Sequence, residues 1–385
     1  LNSVSNGVTA ISTTNVTLGN HAGINNNGDE YTIYLWADST DNWGHDKNTK
    51  IISHGAYTGN GSNSNPGVWV TTGFQPQYIM IRNTDGSWGE TIIFDDARGM
   101  GFDSKYQNNI YWNTTNKENH YFDSSDGPNI DVTSGGFWIR ADHNFMNRNG
   151  YSYVWTAIRR PDGTVGTPKT DPIKLFTICS GNPSGNPGFP TTGVRPDFAF
   201  WRDIDSNGQN TRWSSRVMAG RALPAVSTTD GWAHENNAVF DRFDEGLKHQ
   251  SIPTDYRCWA WNLEGSQCMD YQCWKGDGTN RTYNHTMGSG VTEMAIIKGD
   301  NGGHWVVYHK DMDSSPQNKH MRLNEDGAII DSGAPWNSTA PNSQMFYVGN
   351  DTSTNTSNVV YMGLFLRSQD GIQKIGGYTG GSSAD

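Results

Sequence analysis

Long apolar runs are missing from this sequence. No stretch approaches 18 residues, so it contains no helical membrane span and implies no membrane insertion. Charge is sparse too. Lys, Arg, Asp and Glu make up only 17% of the residues, and no basic run could track a phosphate backbone, so nucleic acid is not an expected partner. The net charge of -11 is interspersed along the chain and reads as a surface favouring solubility. The four cysteines, Cys179, Cys258, Cys268 and Cys273, show neither CxxC spacing nor paired histidines, so no metal site is expected. Cys179 and Cys258 fall on strands as packed thiols, and a Cys268–Cys273 disulfide stays open as an alternative to free thiols. The histidines form no HExxH, no serine sits in GxSxG, and no cofactor is implied. There is no signal peptide, and Leu1 in place of Met suggests a processed product or a piece of something longer.

What is present is aromatic and turn-rich. Hydrophobic residues are only 34% of the total, yet 15 Trp, 16 Tyr and 14 Phe supply large buried areas in few positions. The polar remainder is rich in Gly, Asn, Ser and Thr, which form turns well and helices poorly. The expectation is an all-β chain of short strands and long polar loops, with almost no helix.

A glycine turn after an aromatic strand recurs at Tyr57-Thr58-Gly59, Cys179-Ser180-Gly181, Trp274-Lys275-Gly276 and Tyr378-Thr379-Gly380. The spacings of 122, 95 and 104 residues match one small β domain rather than a solenoid repeat. A second anchor follows, Thr71-Thr72-Gly73-Phe74-Gln75-Pro76 in the first unit and Thr191-Thr192-Gly193-Val194-Arg195-Pro196 in the second. Each leads into an apolar strand and a hairpin, then a basic residue, Arg98 and Arg216; the third unit lacks the Pro but keeps the strand and hairpin, followed by Lys310. An aromatic strand closes the unit: Tyr151 to Ala157, Tyr256 to Trp261 and Val359 to Phe365, with a further copy at Tyr31 to Ala37. The fold expected is a tandem array of jelly-roll-like β-sandwich domains of about 100 residues each. Residues 1–38 read as the closing half of a unit, 47–162 as a first repeat, 163–171 as a Pro/Gly-rich linker and 172–262 as a second repeat. Residues 268–367 read as a third, degenerate repeat, and 371–385 as the start of another.

These anchors resemble a repeat domain of virion proteins from marine bacteriophages, cyanophages above all. The matching residues are Gly55 to Gly61, Gly73 to Arg82, Trp88, Asp96 to Gly99, Gly136 to Ile139 and Tyr151 to Ala157. The likeness is good in the first unit, fair in the second and weak in the third. It implies a non-enzymatic structural component of a virion, such as a tail fibre, capsid fibre or decoration protein. Other virion proteins and further copies of the chain would be its partners, and the particle surface its location. The family has no catalytic residue to carry over.

Beside these scaffold anchors, the candidates for chemistry are few. Asp203 to Gly208 imitates the opening of a calcium loop, but position 12 would be Ser214, and a hairpin turn explains it. The carboxylates at Asp95/Asp96, Asp123/Asp126 and Asp241/Asp244/Glu245 recur in no consistent place and read as solvated loop charge. Tryptophans away from the anchors, Trp43, Trp69, Trp112, Trp232 and Trp336, are the candidates for exposed or interfacial rings. Of these, Trp69, Trp112, Trp232 and Trp336 could stack on host-surface glycans. A lectin-like carbohydrate-binding protein is therefore the alternative, with a polysaccharide-degrading enzyme third.

Overall fold

The computed structural model describes residues 7–38, 49–62, 67–85, 90–96, 100, 107–116, 119–121, 129–165, 168–184, 188–189, 192–205, 211–218, 221–222, 229–234, 247 and 253–381. Strands hold 38% of the chain and helices 5%, in several separate antiparallel sheets. The all-β, multi-domain expectation is met.

Residues 7–38 contain the hairpin β1 (Val8–Ile11) with β2 (Val16–Leu18) and the single-turn helix α1 (Ala22–Asn25). The next stretch holds β3 (Ile52–Thr58), β4 (Val68–Thr71), β5 (Pro76–Asn83), β6 (Thr91–Asp95), β7 (Gln107–Tyr111), β8 (Asn119–Tyr121), β9 (Ile130–Thr133), β10 (Gly136–Ile139) and β11 (Ser152–Arg159). They pair as β3-β11-β5-β6-β7-β8 in one sheet and β4-β10-β9 in another. Alternation along the strands sends Ile79, Ile81, Ile92, Phe94 and Tyr153 from the first sheet into one core with Val70, Val132, Phe137 and Ile139 from the second.

Further on come β12 (Phe176–Ser180), β13 (Phe198–Asp203), β14 (Arg212–Ser215), β15 (Arg221–Ala222), β16 (Ala233–His234) and β17 (Tyr256–Trp261), with a sheet ordered β12-β17-β13-β14. The last group is β18 (Met269–Lys275), β19 (Arg281–Asn284), β20 (Met294–Gly299), β21 (Val306–His309), β22 (Met321–Arg322), β23 (Met345–Val348) and β24 (Val360–Leu366). Its main sheet runs β18-β24-β20-β21-β22, beside the ribbon β19-β23.

Three sheets thus share one wiring. The opening strand pairs with the closing strand, and the closing strand pairs with the strand after the second anchor. The same hydrogen bond fixes the opening register each time, from Gly59 N to Tyr151 O, from Gly181 N to Tyr256 O and from Gly276 N to Val359 O (2.8, 3.0 and 2.8 Å). Glycine is needed here for closeness rather than for backbone angle. A Cβ on Gly59 would lie 2.2 Å from Arg148 O, and one on Gly276 would lie 2.0 Å from Thr356 O. The second anchor recurs as well: Thr72 Oγ1 donates to Phe74 O, and Thr192 Oγ1 to Val194 O.

Two expectations are corrected by the backbone. Tyr31 to Ala37 forms no strand, because no other segment among the described residues lies alongside to complete a ladder. The described residues of the segment expected as a linker, 163–171, form no loose spacer. Asp162 just before it is buried, a Cβ on Gly163 would sit 2.1 Å from both Ser266 O and Thr286 O, and Lys169 N donates to Gly265 O at 3.1 Å. That connection is clamped against the third group of strands.

Candidate functional site

The turn before the closing strand is built by the same set of bonds in the first and third sheets. In the first sheet Asn147 N donates to His143 O (2.8 Å), Arg148 N to Tyr153 Oη (2.9 Å) and Tyr153 Oη to Asn144 O (3.0 Å). In the third, Asn355 N donates to Asp351 O (2.9 Å), Thr356 N to Tyr361 Oη (3.0 Å) and Tyr361 Oη to Thr352 O (2.9 Å). The same triplet occurs near the start of the described residues: Asn25 N to His21 O (2.9 Å), Asn26 N to Tyr31 Oη (2.9 Å) and Tyr31 Oη to Ala22 O (2.7 Å). Gly28, Gly150 and Asn358 take the left-handed turn at the same offset, with φ of 89, 79 and 67°. Tyr31 therefore corresponds to Tyr153 and Tyr361, two residues away from the Tyr151 match the sequence suggests.

The corner holds the opening strand through side chains. Asn147, fully buried, donates from Nδ2 to Asn60 Oδ1 and Ser62 O (both 3.0 Å) and accepts from Asn60 N (3.0 Å). Asn355, also fully buried, donates to Asp277 Oδ1 (2.9 Å) and Thr279 O. Tyr57 Oη donates to Met146 O, and Trp274 Nε1 donates to the corresponding Thr354 O (2.9 Å). Tyr57 stacks on Tyr153 at 5.1 Å, and Trp274 on Tyr361 at 5.8 Å. Burial pushes the Tyr153 phenol up to about 12 and that of Tyr57 well above its ordinary value. In the second sheet this pair is Cys179 facing Cys258. No disulfide forms among the four cysteines, and the Cys268–Cys273 alternative falls to thiols. Burial pushes the Cys258 thiol up, while its hydrogen bond to Cys179 pulls the latter down.

Where the three groups meet, charge is buried. Arg195 bridges Asp96 (2.5 Å) and Asp197 (3.8 Å), Arg216 pairs with Asp197 (3.1 Å), and Arg160 pairs with Asp270 (3.5 Å). Asp197 Oδ2 also accepts from Leu263 N at 2.9 Å, and the Arg160 guanidinium lies 4.9 Å from the Tyr271 ring centre. In these pairs three cations balance three anions, as a buried junction requires. Arg216, one of the basic residues after the hairpins, is a junction residue; Lys310 stays near the surface beside Glu293, and Arg98 lies outside the described residues.

The four candidate tryptophans part company. Trp69 on β4 stands opposite Trp138 on β10, rings 5.0 Å apart and tilted by 47°, both on the face turned away from the core. They line a groove of about 710 Å³ that continues to Tyr283, Asp277, Arg281 and Asn358 of the third group. Partial burial opposes ionisation of Asp277, but donation from Thr279 and Arg281 holds its carboxyl below the usual range. Trp112, 58% exposed, lines a second groove with Trp36 on the outer face of the six-stranded sheet. Trp232 is half-buried against the core. Trp336 is buried, donating from Nε1 to Lys319 O (2.8 Å) and meeting Tyr308 edge-on, so it is a core residue and not a glycan platform. Its loop position gives no sign of this. Trp138, which sequence reasoning assigns to the scaffold, shares the groove because it alternates with Phe137. Asp203 caps its own turn by accepting from Asp205 N at 2.9 Å. Trp43, Trp88, Asp123, Asp126, Asp241, Asp244 and Glu245 lie outside the described residues.

No curated protein and no solved structure matches this chain. The family described as "Domain of unknown function (DUF7483)" matches residues 2–160 and 263–385. The matched segments hold all three tyrosine corners, and the unmatched stretch holds the Cys179/Cys258 variant. With well over half of its length covered, the chain belongs to the DUF7483 family.

Proposed function

We propose that this protein is a non-enzymatic structural component of a phage virion, of the tail-fibre, capsid-fibre or decoration type, standing on the particle surface among other virion proteins and copies of itself. The observation that carries this reading is the junction. Three like-wired sheets are joined through a charge-balanced set of buried Arg/Asp pairs, with a clamped connection in place of a free linker. Such a block suits a part that must keep its geometry under load, and the resemblance of its anchor residues to phage virion repeats gives the context. Peptide mass spectrometry of gradient-purified particles tests it. Peptides from this chain should co-purify with the particles at several copies each; recovery only in the soluble lysate would overturn the reading.

The Trp69–Trp138 groove favours one second reading, contact with host-surface glycans. Two aromatic faces beside a carboxylate, a guanidinium and an amide are the elements that stack on and hydrogen-bond a sugar ring.

A further inference from the structure

Residues 21–37 make a finished corner that no other segment among the described residues fills. The backbone triplet that locks Tyr153 and Tyr361 locks Tyr31 as well, yet Tyr31, Ile33 and Leu35, the counterparts of the core-facing Tyr153, Trp155 and Ala157, are 44, 56 and 67% exposed. Asn25, the counterpart of the buried Asn147 and Asn355, is exposed and donates only as far as Gly19 O (2.9 Å). What the other two corners hold is an opening strand with a glycine turn. The same chain carries a segment of that sequence pattern, unpaired with any sheet among the described residues: Ile375-Gly376-Gly377-Tyr378-Thr379-Gly380, where Tyr378 corresponds to Tyr57 and is 96% exposed.

We propose that residues 375–381 of one copy dock as the opening strand on residues 28–34 of a second copy. The inference rests on the assembly reading above only in taking the partner to be this same chain. The internal sheets dictate the register. Since Tyr153 faces Tyr57 and Val154 faces Ala56, Tyr31 faces Tyr378 and Thr32 faces Gly377. Docking stacks Tyr378 on Tyr31, aims its hydroxyl at Ile24 O as Tyr57 aims at Met146 O, and brings the Gly380–Gly381 turn to Asn25. The present bond from Gly377 N to Asp311 Oδ2 (3.0 Å) survives, because Gly377 falls at a position whose amide points away from the closing strand. Two strands alone are marginal in water, so the corner's side-chain bonds supply the rest. Each copy offers one donor and one acceptor, a head-to-tail contact that builds rings or filaments.

Cross-linking tests this. Thr32 and Gly377 fall at a non-hydrogen-bonded pair, where Cα atoms lie about 4.5 Å apart, within reach of a disulfide. Thr32→Cys protein mixed with Gly377→Cys protein and oxidised with glutathione disulfide should give a covalent heterodimer. Mass spectrometry should map its bond to positions 32 and 377, and each variant alone should give no such product. Adding Asn25→Ala to the Thr32→Cys partner should lower the yield about tenfold at limiting concentration, the effect of losing one or two hydrogen bonds. Circular dichroism of each variant checks that it is folded. Absence of the 32-to-377 link in samples that sediment as multimers would overturn the proposal and leave assembly standing. In protein carrying both Thr32→Cys and Gly377→Cys, a link formed only within single chains would overturn it too, and a sample that never multimerises would remove both the proposal and the assembly reading.

Discussion

Asn147 and Asn355 show how much one buried amide can organise. Each is itself fully buried and ties a corner to the opening strand through its side-chain amide. Replacing Asn147 by Ala removes a fully buried amide together with its bonds to Ser62 O and Asn60, and should cost about 2 kcal/mol of stability. Asn25→Ala, at the open corner, should cost less than about 0.5 kcal/mol in dilute protein. Urea unfolding followed by tryptophan fluorescence measures both, and equal losses would mean that the closed corners gain nothing from the clamp. The pattern is within reach of the sequence. Asparagine stands six residues before tyrosine at Asn25/Tyr31, Asn147/Tyr153 and Asn355/Tyr361, with His or Asp four residues before each asparagine. It is masked because Tyr151 and Tyr153 both fit an aromatic strand start, and only the hydroxyl's partners separate them. A two-residue shift keeps every side chain on the same face, so alternation does not reveal it.

At the level of strands and grooves, the sequence is most informative where a backbone constraint and a hydrophobic pattern coincide. Gly59 and Gly276 mark true opening strands because no side chain fits under the corner, Gly181 marks a third by the same register bond, and the apolar runs after each second anchor are central strands. Exposure of single rings is far less legible. Trp336 reads as a loop residue and is core, while Trp138 reads as scaffold and lies in the groove, since both outcomes depend on which long loop folds over which sheet. The groove yields a direct expectation for glycan contact. Trp69→Ala and Trp138→Ala should each weaken binding to a host-surface polysaccharide about tenfold in titration calorimetry, the scale of one lost aromatic stack, with the far-ultraviolet circular dichroism unchanged. Trp336→Ala should instead reduce stability by about 3 kcal/mol. Binding that is indifferent to both groove variants would remove the second reading.

Across the whole molecule the buried junction decides the character of the protein. Arg195 and Asp96 are 99 residues apart in sequence, and no local pattern announces their meeting. Such pairs contribute little net stability over apolar packing, but removing one partner is costly, so they fix how the sheets sit against one another rather than how tightly each folds. Three sheets tied by buried pairs, with one finished corner and one segment of opening-strand pattern both exposed, are the features on which the proposed assembly rests. Sedimentation velocity of the purified chain over a concentration series decides whether it is one. Discrete species larger than the 42.6 kDa chain should appear, grow with concentration and recede on dilution. A single 42.6 kDa species at every concentration up to the solubility limit would refute the assembly reading.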